Sequence, residues 1–246
     1  MGVIIFNGKS STDYGIVIEK RPPQNHGAKR GEAYTIAGRN GTFFREDGTY
    51  DNYIQPYEVA IRQGLTRRAD LRAADVAGWL LGSSGFCRLE DGFEPEFYRM
   101  ARYAGPLNIE QVLNAWGRCT LEFDCLPERW LRSGEEAIVG TDAAPTLFNP
   151  TPFKAKPVIK LYGSASLLSV TVNNVHYVDV PGAGSSGPVT IDCETGTIED
   201  ATGLSLMGSC IFYGDYNELP ELAPGENTLT FANASSYEIV PRWWTL

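Results

Sequence analysis

Histidine is nearly absent: His26 and His176 are the only two in 246 residues. A Ser-His-Asp or Cys-His arrangement has little to draw on, and no G-x-S-x-G elbow occurs. Paired-cysteine signals are missing too. Cys87, Cys119, Cys125, Cys193 and Cys210 are widely spaced, odd in number and form no CxxC. With two histidines and unpatterned cysteines, zinc-ligand spacing is lacking. No run of about 20 apolar residues is present, so no helical membrane span is expected. The opening "VIIF" is short and has no basic segment before it, so it reads as a first strand rather than a leader peptide. On that reading the chain is made in a cytoplasm and its thiols stay reduced. Basic charge is scarce as well. The net charge of −9 argues against general nucleic-acid binding, which needs Lys and Arg on phosphates.

What is present is β-forming. Aromatic and β-branched residues alternate with polar ones in short runs, and Gly and Pro punctuate them. "YEVAIR" places Tyr57, Val59 and Ile61 on one face, with Pro56 at the strand's start. "CTLEFDC" does the same with Cys119, Leu121, Phe123 and Cys125. One helix stands out in "RRADLRAADVAGWLLG": Asp70 as N-cap, a stripe of Ala73, Val76, Ala77 and Leu80, and Gly82 after the end. Trp79 borders that stripe and is expected to pack on a sheet. Strands, one helix, then strands make the first block α+β. Pro145, Pro150, Pro152 and Pro157 crowd the stretch 133–157, which reads as a linker near residue 145. Beyond it, short runs with regular turn signals suggest a β-sandwich, including a hairpin through Glu194, Thr195 and Gly196. The fold class is therefore mainly β: an α+β block with a β-sandwich core over 1–145 and a β-sandwich over 146–246.

Residues 35–53, "TIAGRNGTFFREDGTYDNY", hold the densest motif. The P-loop Gly-Lys-Ser/Thr is missing, and Glu46, Asp47 and Asp51 lack the ligand order of a calcium loop. Asn40-Gly41 and Asp47-Gly48 instead tolerate positive φ, so the stretch reads as turn, short strand, turn. Residues 22–32 before it are a polar loop or extended arm. Tyr237, Trp243 and Trp244 cluster near the C-terminus. They either seal the sandwich or stack on a sugar. The chain's 30 acids permit a glycosidase pair but single none out.

The ordered set of motifs carries a resemblance. "FNGKSSTDYGIVIEKRPP" at 6–23, "IAGRNGTFFREDGTYDNYIQPYEVAI" at 36–61 and "ADVAGWLLGSSGFCRLEDGFEPEFYRMARY" at 74–103 resemble the N-terminal domain of siphophage distal tail proteins. "KPVIKLYGSASLLSVTVNN", "VTIDCETGTI", "YGDYNELPELAPGENTLTF" and "IVPRWWTL" resemble that family's galectin-like C-terminal domain. The segment "CLPERW" departs from the family, since Glu128 follows Pro127 where many relatives have Pro-Tyr. The resemblance implies a non-enzymatic protein of the virion tail tip without a cofactor. It implies a homo-oligomeric ring, typically a hexamer, that joins the tail-tube protein to a tail-associated hub or fibre protein. DNA passes through the lumen without specific binding. On that reading Arg39, Asn40, Gly41, Asp47 and Gly48 belong to a hairpin at the ring interface. Tyr237, Trp243 and Trp244 would contact a glycan or a partner. The alternative reading is a carbohydrate-binding protein for host cell-wall glycans, and a glycan hydrolase is a third.

Overall fold

The structure is a computed structural model that describes residues 2–62, 69–107, 110–113, 116–182, 187–213 and 218–246; of residues 62, 69–73, 110–113 and 116 it describes the backbone alone. The protein is mainly β, with one α-helix among the described residues. Its chain forms two compact units, Met1–Arg129 and Trp130–Thr245.

The first unit carries β1 (Ile4–Phe6), β2 (Lys9–Ser10), β3 (Ile16–Ile18), β4 (Lys29–Thr35), β5 (Thr42–Tyr50), β6 (Tyr53–Arg62), α1 (Ala69–Leu81), β7 (Cys87–Asp91), β8 (Phe97–Tyr103), β9 (Glu110–Leu113) and most of β10 (Trp116–Leu131). Its main sheet runs β2-β1-β7-β8-β10-β6-β3. Three inter-strand steps separate β1 from β10, a span of roughly 14 Å in a flat sheet. Yet the rings of Phe6 and Phe123 lie 5.1 Å apart. The sheet therefore curls around its own core. Alternation explains which side goes inward: Tyr57, Val59 and Ile61 are buried while Glu58 faces water, and Leu121, Phe123 and Cys125 are buried from β10. Helix α1 adds Val76, Trp79 and Leu80 to that core. Trp79 is fixed twice. Its indole Nε1–H donates to the Phe6 carbonyl at 3.0 Å, and its ring stacks on Tyr14 at 4.7 Å. The Asp70 and Ala73 side chains, expected as cap and stripe, lie outside the described residues. Pro56 sits within β6 rather than at its start. It is tolerated because β3 pairs only with residues 59–61, leaving the edge beside Pro56 without a strand that needs its missing N–H.

The second unit carries β11 (Ile138–Gly140), β12 (Thr146–Asn149), β13 (Val158–Tyr162), β14 (Leu167–Val172), β15 (Val175–Pro181), β16 (Val189–Asp192), β17 (Thr197–Glu199), β18 (Ile211–Phe212), β19 (Gly225–Ala232), β20 (Ser236–Val240) and β21 (Trp244–Thr245). Two five-stranded sheets, β11-β20-β13-β16-β17 and β12-β19-β14-β15-β18, form it. Their inward residues share one core: Ile159, Leu161, Ile191 and Ile239 from the first sheet, Val170, Val172, Val178, Leu229 and Phe231 from the second. That is a β-sandwich. The hairpin through Glu194, Thr195 and Gly196 is present, with Gly196 at φ +70° and its N–H on the Asp192 carbonyl at 3.0 Å. The boundary between the units falls at Arg129/Trp130, earlier than the Pro-rich stretch suggested. Pro145, Pro150, Pro152 and Pro157 do not make a free linker, because β11 and β12 are edge strands and lie between or before them. An edge strand leaves one row of N–H groups unpaired, so proline beside it costs little.

The last turn of this unit is held by an ion pair. Arg242, at φ +57°, reaches Asp192 with both guanidinium nitrogens, at 2.7 and 2.9 Å. Burial pushes the Asp192 carboxyl up, but the Arg242 guanidinium and the Thr195 and Glu194 N–H groups outweigh it and hold the group below the usual carboxylate range. A depressed carboxyl stabilises the folded state above its unfolded pKa, and that contribution disappears as pH falls through the folded value. Replacing Asp192 by Asn should therefore cost about 2 kcal/mol in urea unfolding at neutral pH. The difference should begin to shrink as pH falls to about 4, the unfolded value, and disappear only below the lower folded one. A cost independent of pH would contradict this assignment.

Candidate functional site

Strands β4 and β5 pair only with each other. Apart from Gly31 and Tyr50, every residue of the two strands is exposed. Directly opposed residues share a face, so Tyr34 lies beside Phe43 on one side and Ala33 beside Phe44 on the other. Phe43 is 54% exposed, and Tyr34, Ile36 and Phe44 are exposed nearly as far. Both faces thus present apolar rings to water. A Cβ on Gly31 would collide with the Arg45 carbonyl and the Phe44 ring, so glycine is what lets that ring lie across the ribbon.

Of the expected interface residues, Arg39, Asn40 and Gly41 form the tip. Gly38 and Gly41 take φ of +82° and +84°, and the Arg39 N–H meets the Ile36 carbonyl at 3.2 Å. Asp47 and Gly48 are placed differently from the turn expected of them. They lie inside β5, which is one continuous strand. Residues 47–49 bulge out where the register jumps from Lys29↔Tyr50 to Gly31↔Glu46. Gly48 supplies φ +83°, and Asp47 Oδ1 accepts from the N–H and hydroxyl of Thr49 at 2.8 and 2.6 Å. Asp-Gly serves a turn and a bulge equally well, because each asks for the same backbone angle.

The root of this hairpin is tied to the body of the first unit. The Asp51 N–H donates to the Ala28 carbonyl at 2.8 Å, Asn25 Nδ2 to the Ile54 carbonyl at 2.7 Å, and Gln55 Nε2 to the Pro23 carbonyl at 2.9 Å. Asn52 Nδ2 donates to Asp124 Oδ1 at 3.0 Å, while Arg102 holds the other carboxylate oxygen at 2.8 Å. Gln24 Nε2 donates to Glu94. Glu94 is itself the centre of a buried charge cluster. Its carboxylate takes a hydrogen bond from Arg99, and Arg129 Nη1 lies 3.5 Å away. Arg99 Nε also donates to the Tyr53 hydroxyl at 2.9 Å, and the Tyr57 hydroxyl donates to Asp91 at 3.1 Å.

Two guanidiniums share that one carboxylate. Burial pushes Glu94 up, and the two arginines overcome this and leave it below its ordinary value. Burial lowers Arg129, and Glu94 only partly restores it. Arg99, with the closer contact, is raised despite burial. Burial also raises Asp91, and pushes the Tyr53 hydroxyl up to about 12. Arg99 Nη1 and Arg129 Nε have no acceptor among the described residues, so the cluster is already short of negative charge.

The C-terminal aromatics do not form an open stacking face. Tyr237 and Trp243 are each 5% exposed and belong to the sandwich core. Trp244 is half-buried, stacked on Phe153 at 4.5 Å, with Nε1–H on the Lys154 carbonyl at 2.8 Å. Alternation along β20 turns Tyr237 inward, and the Leu131 N–H on the Trp243 carbonyl at 2.9 Å fixes the chain where Trp243 enters the core, which residue type alone does not reveal. Sequence reading passed over a further group: His176 and Asp179 lie three residues apart on β15, and Tyr213, just past β18, meets them only because β18 pairs with β15. Among the described residues there is no cluster of His, Cys, Asp and Glu suited to a metal ion.

The fold resembles that of a phage hub protein and of phage baseplate chains. The chain superimposes over its whole length on the whole of the SPP1 Dit protein, described as a paradigm of the hub adsorption apparatus in phages infecting Gram-positive hosts, with a TM-score of 0.78 and 17% identity. It also resembles a chain of the phage P2 baseplate in its activated conformation with Ca, with a TM-score of 0.53 and 10% identity over 99% of this chain and 98% of that one. A chain of the strontium form of that baseplate gives 0.52 and 11% over 97% and 96%. The sequence matches no protein-family model and no curated protein.

The charge cluster carries its own test. Glu94→Gln leaves two buried guanidiniums facing each other and should cost about 3 kcal/mol in unfolding at pH 7. Because the Glu94 carboxyl is depressed, its contribution exists above its unfolded pKa and fades as pH falls through the folded one. The variant and parent curves should therefore begin to approach each other as pH falls to about 4.3, the unfolded value, and meet only below the lower folded one. Equal stability at pH 7 would show that the cluster is not what holds the hairpin root.

Proposed function

We propose that this chain is a structural component of a phage tail tip whose copies close into a ring through the β4–β5 hairpin. The carrying observation is that the hairpin has no core of its own. An isolated two-stranded ribbon is marginal in water, and here both faces carry exposed aromatic rings. Rings on both sides call for cover on both sides. A neighbouring copy on each flank supplies it, as in a closed head-to-tail assembly where each subunit presents two different patches. Likeness in fold to SPP1 Dit and to the P2 baseplate supports this reading. The ring joins the tail tube to a hub or fibre protein, with six copies as the expected number and DNA passing through the lumen. The second unit is read as a galectin-like sandwich. This role assigns no reaction to the chain.

Covering each exposed ring contributes on the order of 1–2 kcal/mol. Replacing Phe43 and Phe44 by Ser should therefore weaken self-association by roughly a hundredfold and leave the circular dichroism unchanged. Light scattering and negative-stain microscopy of the purified chain give the readout. A parent that stays monomeric at its highest soluble concentration would overturn the proposal, as would rings that survive both substitutions.

A further inference from the structure

The outer face of the β12-β19-β14-β15-β18 sheet carries a lane of polar side chains. Thr230 on β19 pairs with Thr171 on β14, which pairs in turn with His176 on β15. One step along, Ser169 pairs with Asp179, and Asp179 pairs with Ile211 on β18. Paired residues share a face, so these groups form a strip about 10 Å across, two strand spacings wide. At its end stands Tyr213. Its ring is 54% exposed and yet held at three points. The hydroxyl donates to Asp179 Oδ2 at 2.6 Å, the backbone N–H donates to the Tyr177 carbonyl at 3.0 Å, and the His176 ring stacks against it at 4.1 Å. An exposed aromatic ring that is already immobilised loses little entropy when something stacks on it.

Asp179 is buried beneath Tyr213 and His176 and spends its carboxylate on them, while Thr171 and Thr230 keep their hydroxyls at the surface. His176 Nε2 meets Asp179 Oδ1 at 2.7 Å. With that proton given to the carboxylate, Nδ1 is left as an acceptor. Burial pushes the Asp179 carboxyl up, but the hydroxyls of Ser169 and Tyr213 and the His176 ring bring it below its usual value, so it is ionised at neutral pH. The Thr171 and Thr230 hydroxyls both donate and accept. None of the five strands contains a Lys or Arg, and Glu226 stands exposed on the same face as Thr230, so a phosphate- or sulfate-bearing polymer meets no strand-borne cation and faces a carboxylate. We infer that this face binds a neutral, hydroxyl-rich oligosaccharide. Tyr213 is the stacking platform, Thr171, Thr230 and His176 hydrogen-bond the sugar hydroxyls, and the buried Asp179 holds the Tyr213 and His176 rings in place. The inference does not depend on ring formation.

The test uses the intact chain with maltohexaose, cellohexaose, chitohexaose and mannohexaose as neutral probes, and polyglycerol phosphate as the anionic one. Saturation-transfer NMR and calorimetry read binding, and light scattering on the same samples reads assembly separately. Saturable binding of at least one neutral probe is expected, weakened roughly tenfold or more by Tyr213→Ala and less by Tyr213→Phe, which keeps the ring. If Tyr213→Ala fails to fold, Thr171→Val and Thr230→Val remove hydroxyls from the surface instead and should weaken binding. Absence of saturable binding by every neutral probe overturns the inference. So does binding unmoved by these substitutions, or a preference for polyglycerol phosphate.

Discussion

A ribbon of two strands has two faces and nothing behind either of them. That constraint governs the first unit. The curled sheet buries Phe6, Phe123, Tyr57 and Trp79 within the chain itself, whereas Tyr34, Ile36, Phe43 and Phe44 stand on the ribbon outside any core. Apolar rings set in water on both sides of a ribbon are stable only where another surface covers them. On the proposed reading, these rings are what a neighbouring copy covers.

Such a ribbon is useful for assembly only if its base is held. Here the base is tied by main-chain and amide contacts from residues 23–28 and 51–55, and by Gln24 on Glu94. Glu94 is costly to bury alone and is stabilised by two arginines, of which Arg129 is the weaker partner. Buried ion pairs add little to stability on average, and losing one member is what does damage. The cluster therefore sets the geometry of the hairpin root more than it adds to the depth of the folded state.

The second unit solves a different problem. Its two sheets cover each other, so its hydrophobic requirement is met internally, and Tyr237 and Trp243 are consumed in that closure. What remains outside includes surface threonines and one immobilised tyrosine on strands without Lys or Arg. A ribbon bearing exposed rings in the first unit and this polar lane in the second suit different partners.

Local pattern was legible in the sequence. Period-two alternation put Tyr57, Val59, Ile61, Leu121 and Phe123 inward, the 3.6 period marked α1, and Glu194-Thr195-Gly196 announced its hairpin, because each of these depends on neighbours a few residues away. The absence of patterned histidine and cysteine was equally legible. Asp47-Gly48 could not be resolved, since a turn and a bulge ask the same φ of glycine. Nor could the fate of Tyr237 and Trp243, because burial depends on which strand lies across from them. The joining of Arg129 to Glu94 and the seating of Tyr213 on His176 and Asp179 belong to the tertiary structure. Charges and rings far apart along the chain come within hydrogen-bond distance only when strands from different segments are laid side by side, and a linear pattern carries no record of that pairing.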